Sequence, residues 1–154
     1  MKFFIGGILA PFYPYLLLLA LLFAQIDYDS REFEFVGVQH SDRIISEIKS
    51  ETNLKIPSDS LGLAYKYLPP IDPIVFAKLQ LSEIGKDEFI KNLDGITCYK
   101  NFPPNFANSR CDWWKINSEN LIFSKTGIMD ESYFEVYILK ENQTYYLYLK
   151  IFTI

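Results

Sequence analysis

Hydrophobic and polar positions alternate most regularly near the carboxy terminus, where Tyr133–Lys140 and Thr144–Thr153 each carry a large apolar residue at every second position. Side chains on a strand point alternately to opposite faces, so the pattern predicts two β-strands. Glu141, Asn142 and Gln143 between them predict a short hairpin loop. One face would carry Phe134, Val136, Ile138, Tyr145, Leu147, Leu149 and Ile151 into a core. The other would carry Tyr133, Glu135, Tyr137, Tyr146, Tyr148 and Lys150. This tyrosine-rich outer face reads either as a contact surface or as cross-strand pairs that stabilise a wet sheet.

Upstream, Leu121–Lys125 and Leu63–Leu68 have strand character, the latter ended by Pro69, Pro70 and Pro73. Ile74–Leu81 alternates Val75, Ala77, Leu79 and Leu81 with a second face that turns polar along its length. The period changes at Ile44, Ile45 and Ile48, which recur at steps of three and four. They predict an amphipathic helix over Asp42–Thr52, capped by Ser41, with Arg43 and Glu47 paired on its wet side. A second short helix is expected at Lys86–Asp94, with Phe89, Ile90 and Leu93 inward and Gly95 at its end. A short strand is expected at Glu32–Val38. The sum is an α+β fold: a mostly antiparallel sheet of about four or five strands with two short helices packed on one face.

One stretch has no such period. Phe3–Ile26 contains no charged residue, and none occurs between Lys2 and Asp27. As a helix rising about 1.5 Å per residue it would measure about 36 Å, against about 30 Å of bilayer hydrocarbon. Pro11, Pro14, Gly6 and Gly7 weaken its first part, so the dependable helix is Tyr15–Ile26, with Pro14 at a first helical position. Residues 1–26 are therefore read as a single-pass membrane anchor. The alternative is a cleaved signal peptide, but Leu22 or Leu18 stands three residues back from cleavage after Ala24 or Ala20, where a small residue is wanted. Lys2 on one flank and Asp27, Asp29, Glu32 and Glu34 on the other keep the amino terminus in the cytoplasm and send the remainder out. Residues 27–40 then read as a juxtamembrane linker and 41–154 as the exported domain.

Composition narrows the partner. With Lys2 set aside from the 15 basic residues, 14 stand against 19 acidic, so residues 27–154 carry a net charge of −5. An acidic module is a poor match for phosphate backbones, which excludes nucleic acid as the expected partner. The two cysteines, Cys98 and Cys111, would close a 14-residue loop in an oxidising compartment, worth about 3 kcal/mol on the chain-entropy estimate. That bridge would staple the irregular stretch 96–118, which also holds Pro103 and Pro104. Asn142-Gln143-Thr144 matches a glycosylation sequon, a tripeptide that also arises by chance.

Catalytic signatures are missing from the sequence: there is no nucleophile elbow, no phosphate-cradling glycine loop and no paired metal motif. His40 is the single histidine, and a Cys–His dyad with it would lose its nucleophile to the disulfide. No cofactor and no enzymatic activity are expected. The expected function is a membrane-tethered extracytoplasmic module that binds a protein in the envelope or outside the cell, of inhibitor, immunity or accessory-subunit type. Its contact residues would be Trp113, Trp114, Tyr133, Tyr137, Tyr146 and Tyr148. The alternative is an exported domain that binds a small ligand or glycan through Trp113 and Trp114, and a hydrolase is the third possibility.

Overall fold

The computed structural model describes residues 13–29, 31–52, 54–69, 73–94, 111–129 and 132–153. The alternating segments pair antiparallel throughout, giving six strands rather than four or five. They are β1 (Phe33–Val36), β2 (Leu61–Leu68), β3 (Ile74–Leu81), β4 (Leu121–Met129), β5 (Ser132–Glu141) and β6 (Thr144–Thr153). Their spatial order is β1-β2-β3-β6-β5-β4, so the carboxy-terminal hairpin supplies two of the central strands. β1 arises from the end of the stretch read as a linker, and Phe33 and Phe35 pair with Tyr67 and Tyr65.

Among the described residues the α-helices are α1 (Tyr13–Asp29), in a unit of its own, and α2 (Ser41–Glu51) and α3 (Glu83–Leu93), in the unit that holds the sheet. Helices α2 and α3 lie on one face of the sheet, where Ile44, Ile48, Phe89 and Leu93 pack against Leu79, Phe134, Val136, Ile138, Leu147 and Leu149. Every one of these side chains is at most 1% exposed. Burying a residue of this size contributes about 1.5–3 kcal/mol relative to leaving it in water, so this layer dominates the domain's cohesion.

Capping accounts for the helix ends that differ from expectation. α3 begins three residues before Lys86 because the Ser82 hydroxyl accepts the Gly85 N–H at 2.9 Å, which starts the helix there. At α2 the reverse holds: His40 occupies the cap position, and the Ser41 hydroxyl turns to the sheet, accepting the Gly62 N–H at 2.8 Å. Gly62 is the point of closest approach between α2 and β2. A Cβ there would lie 2.8 Å from Ile44 Cβ and 2.9 Å from the Ser41 carbonyl oxygen. In β4 the strand runs on through Gly127 to Met129, beyond the expected end at Lys125.

The hairpin loop is one residue shorter than expected, because Glu141 pairs with Thr144. Asn142 and Gln143 then form a two-residue turn with φ of 47° and 68°. Both angles are left-handed, as a primed hairpin turn requires; asparagine tolerates this readily, whereas glutamine carries a steric penalty that glycine avoids.

The chain divides into two units, Met1–Arg31 and Glu32–Ile154. In the first, α1 is the described element, with Pro14 in its first turn and Leu16, Leu17, Leu18, Leu19, Leu21, Leu22 and Phe23 all exposed. It has 17 residues, and among the described residues no helix is long and apolar enough to cross a membrane. Residues 3–12 of the expected anchor lie outside the described residues.

Two substitutions test this architecture by urea denaturation. Gly62→Ala is expected to lower stability by about 1–3 kcal/mol, since Ile44 and the Ser41 backbone must yield to the added methyl. Gln143→Gly is expected to raise it by up to about 1 kcal/mol by relieving the left-handed backbone.

Candidate functional site

The face of the sheet away from the helices holds most of the residues singled out in the sequence. Strand register lines up Glu34, Lys66, Phe76, Lys150, Glu135 and Thr126 as one row across all six strands. The next row towards the hairpin turn is Ala64, Lys78, Tyr148, Tyr137 and Ser124. Over these rows sits a turn in which the Trp114 N–H donates to the Cys111 carbonyl at 3.1 Å. That turn drives the Trp114 ring onto the sheet, edge to face with Phe76 at 5.1 Å, Tyr148 at 5.4 Å and Tyr137 at 6.4 Å between centroids. Aromatic edges carry positive and faces negative quadrupole charge, so perpendicular contacts of this kind add to the burial energy.

The tyrosine face is consequently a second core over much of its area. Tyr137 and Tyr148 are each 1% exposed and Trp114 is 6% exposed, in one cluster with Leu68, Phe76, Cys111 and Leu139. Alternation had assigned these tyrosines to an outer face; it separates the two faces correctly, yet it carries no information about which face another segment covers. Trp113, Tyr133 and Tyr146 are half-buried and keep part of their surface accessible. Cys98 lies outside the described residues, and with it the expected bridge to Cys111.

Glu34 with Lys66 and Glu135 with Lys150 are paired across strands on this face. Glu135, 7% exposed, accepts from the Lys150 ammonium at 2.8 Å and from the Tyr137 hydroxyl at 2.7 Å. At the other side of the sheet Lys66 contacts Glu32 at 2.7 Å and Glu34 at 3.4 Å, and the Trp113 indole N–H donates to Glu34 at 2.6 Å. The hydrogen bond to Glu32 holds the Lys66 amine above its usual range. Burial pushes the Lys78 amine down; its nitrogen lies 4.8 Å from the Tyr146 ring centre and 4.9 Å from that of Tyr148. Burial also pushes the Cys111 thiol up to about 12, so as a thiol it would be a poor nucleophile near neutrality.

Two clefts flank the hairpin turn. One, of about 540 Å³, is lined by Trp114, Lys115, Ile116, Asn117, Asn120 and Glu141. The other, of about 480 Å³, includes Gln80, Ser82, Glu83, Lys140 and Thr144. Their polar groups suit hydrogen bonding to a partner. Among the described residues no three His, Cys, Asp or Glu side chains gather as a metal site. The His40 ring leans on Phe35 at 5.7 Å, on the helix side of the sheet, whereas Cys111 belongs to the opposite cluster, so the two do not form a dyad. The chain matches no protein-family model, no curated protein and no solved structure.

The pairs Glu34–Lys66 and Glu135–Lys150 escaped sequence reasoning because both partners become visible only when the strand register is known. Opposite charges at equivalent places on paired strands are the one signal that would have found them.

Trp114→Ala is expected to cost about 3–5 kcal/mol in a denaturation experiment, as a buried ring with three aromatic partners should. Burial raises the Tyr148 phenol from its ordinary value of 10.0 to about 12. The fold therefore favours the neutral phenol: the stabilisation is whole below pH 10 and is lost as pH climbs towards 12. Urea midpoints should fall across that window, and Tyr148→Phe should make the decline shallower; an unchanged slope in the variant would show that Tyr148 is not one of the groups responsible.

Proposed function

We propose that the chain is a membrane-tethered extracytoplasmic interaction module, held by its amino-terminal helix and acting by contact with another protein of the envelope or cell exterior. Inhibitor, immunity-type factor and accessory envelope subunit are the forms of contact that suit so small a domain. The observation that carries the reading is α1, whose leucines between Leu16 and Leu22 are 53–67% exposed. A helix apolar on every side has no wet face to offer, and hydrocarbon is the environment that suits it. The apolar residues 3–12 that precede it in the sequence extend the same run. The flanking charges, Lys2 before and four carboxylates within Asp27–Glu34 after, support a cytoplasmic amino terminus.

Contact surface on the domain is supplied by the half-buried Trp113, Tyr133 and Tyr146 and by the polar clefts beside the hairpin turn. The cleft next to Trp114 also gives the second reading, a small-ligand or glycan-binding domain, its specific support. That reading is the weaker one, because the enclosed Trp114 ring has no open face on which a sugar could stack.

Membranes from cells producing the full chain provide the test. After washing with alkaline carbonate the protein should stay in the pellet, and mild detergent should release it together with a stoichiometric protein partner. Release by carbonate would remove the tether, and recovery of the chain alone with affinity for a soluble oligosaccharide would favour the second reading.

A further inference from the structure

Two opposite charges on the face of the sheet away from the helices stand near each other without meeting. Strand register puts Lys78 and Glu141 on that face, Lys78 opposite Tyr148 and Glu141 beside the hairpin turn. The Lys78 nitrogen rests over the rings of Tyr146 and Tyr148, at 4.8 Å and 4.9 Å from their centres. Glu141 is close enough to favour the ammonium electrostatically, yet no ion pair closes between the two. Among the described residues neither the Lys78 ammonium nor the Glu141 carboxylate has a hydrogen-bonding partner. Both side chains are half-buried, so each gives up water without a direct partner in exchange. A bound group of opposite charge would make good that loss.

A cleft lies at the same place. Its volume of about 540 Å³ is of the size that small-molecule sites have, and Glu141, Trp114, Ile116, Asn117 and Asn120 line it. Trp114 packs at 5.4 Å on Tyr148, the ring over which Lys78 sits, so the amine borders the cleft. Asn117 commits its side-chain oxygen to the Glu119 N–H at 3.0 Å, which leaves its amino group to donate. The Asn120 amide has both of its groups free among the described residues.

We propose that this cleft binds an α-amino acid with a polar, uncharged side chain: its carboxylate pairs with Lys78, its ammonium with Glu141, and its side chain meets the amides of Asn117 and Asn120. Charge selects the zwitterion. A simple anion would be drawn by Lys78 and repelled by Glu141, and a simple cation the reverse, whereas a molecule with both charges a short distance apart satisfies both. It carries no net charge, so the acidic domain does not repel it. The two tyrosine rings hold the amine in place before the ligand arrives, which lowers the ordering cost of binding. Held by charge and amides, the ligand needs no open aromatic face, and in this it differs from a sugar.

Isothermal titration of the full chain in mild detergent with L-serine, L-threonine, L-asparagine and L-glutamine tests the site. At least one of them should bind, whereas acetate and ethylamine, each with only one of the two charges, should not. Lys78→Met and Glu141→Gln should each weaken binding at least about tenfold, since each removes one charge-assisted contact. The thermal midpoint shows that each variant is folded, and Glu141→Gln, at the end of the hairpin, decides the matter if Lys78→Met is unstable. Binding of none of the four up to about 10 mM, or unchanged affinity in Glu141→Gln, overturns the proposal. The titration involves neither a bilayer nor a protein partner, so its failure leaves the tether proposed above untouched.

Discussion

A sheet that is apolar on both faces has to be covered twice, and most of this structure follows from that requirement. β3, β6 and β5 run through the middle, and both of their faces bury large side chains: Leu79, Leu147 and Ile138 towards the helices, Phe76, Tyr148 and Tyr137 away from them. The helices meet the first demand with Ile44, Ile48, Phe89 and Leu93. Among the described residues the second is met by a short segment in which one turn at Cys111 lowers Trp114 into the gap between three aromatic rings.

Polar groups near that face are arranged so as not to spoil it. Glu135 is nearly sealed from water, and an isolated carboxylate in such a place would shift the balance against folding by several kcal/mol. Lys150 from the neighbouring strand and Tyr137 from its own strand satisfy its oxygens. The same logic applies at the far side, where Glu34 is shared between Lys66 and the Trp113 indole and so ties the covering segment to β1. Charge here fixes register and holds the segment in place.

Much of this was legible in the residues. Alternation located β3 at its observed ends and the hairpin to within a residue at each end of β5, because a period of two persists over eight to ten positions there. Helix starts were less legible: Ser82 caps α3 through the local Gly85 N–H, whereas Ser41, with the same chemistry, has its hydroxyl committed to Gly62 by a contact that depends on the fold. The fate of the tyrosine face was not legible at all. Tyr137 and Tyr148 look alike to Tyr133 and Tyr146 in sequence; among the described residues Trp114 packs on the first two, and that contact depends on the fold.

The proposed tether would place this domain on the far side of a membrane, held there by an apolar leader. Protease added to intact cells, with any outer membrane permeabilised, addresses it most directly. If the tether is as proposed, residues 27–154 are digested while a cytosolic marker survives. Protection of the domain until the cytoplasmic membrane itself is lysed would contradict it.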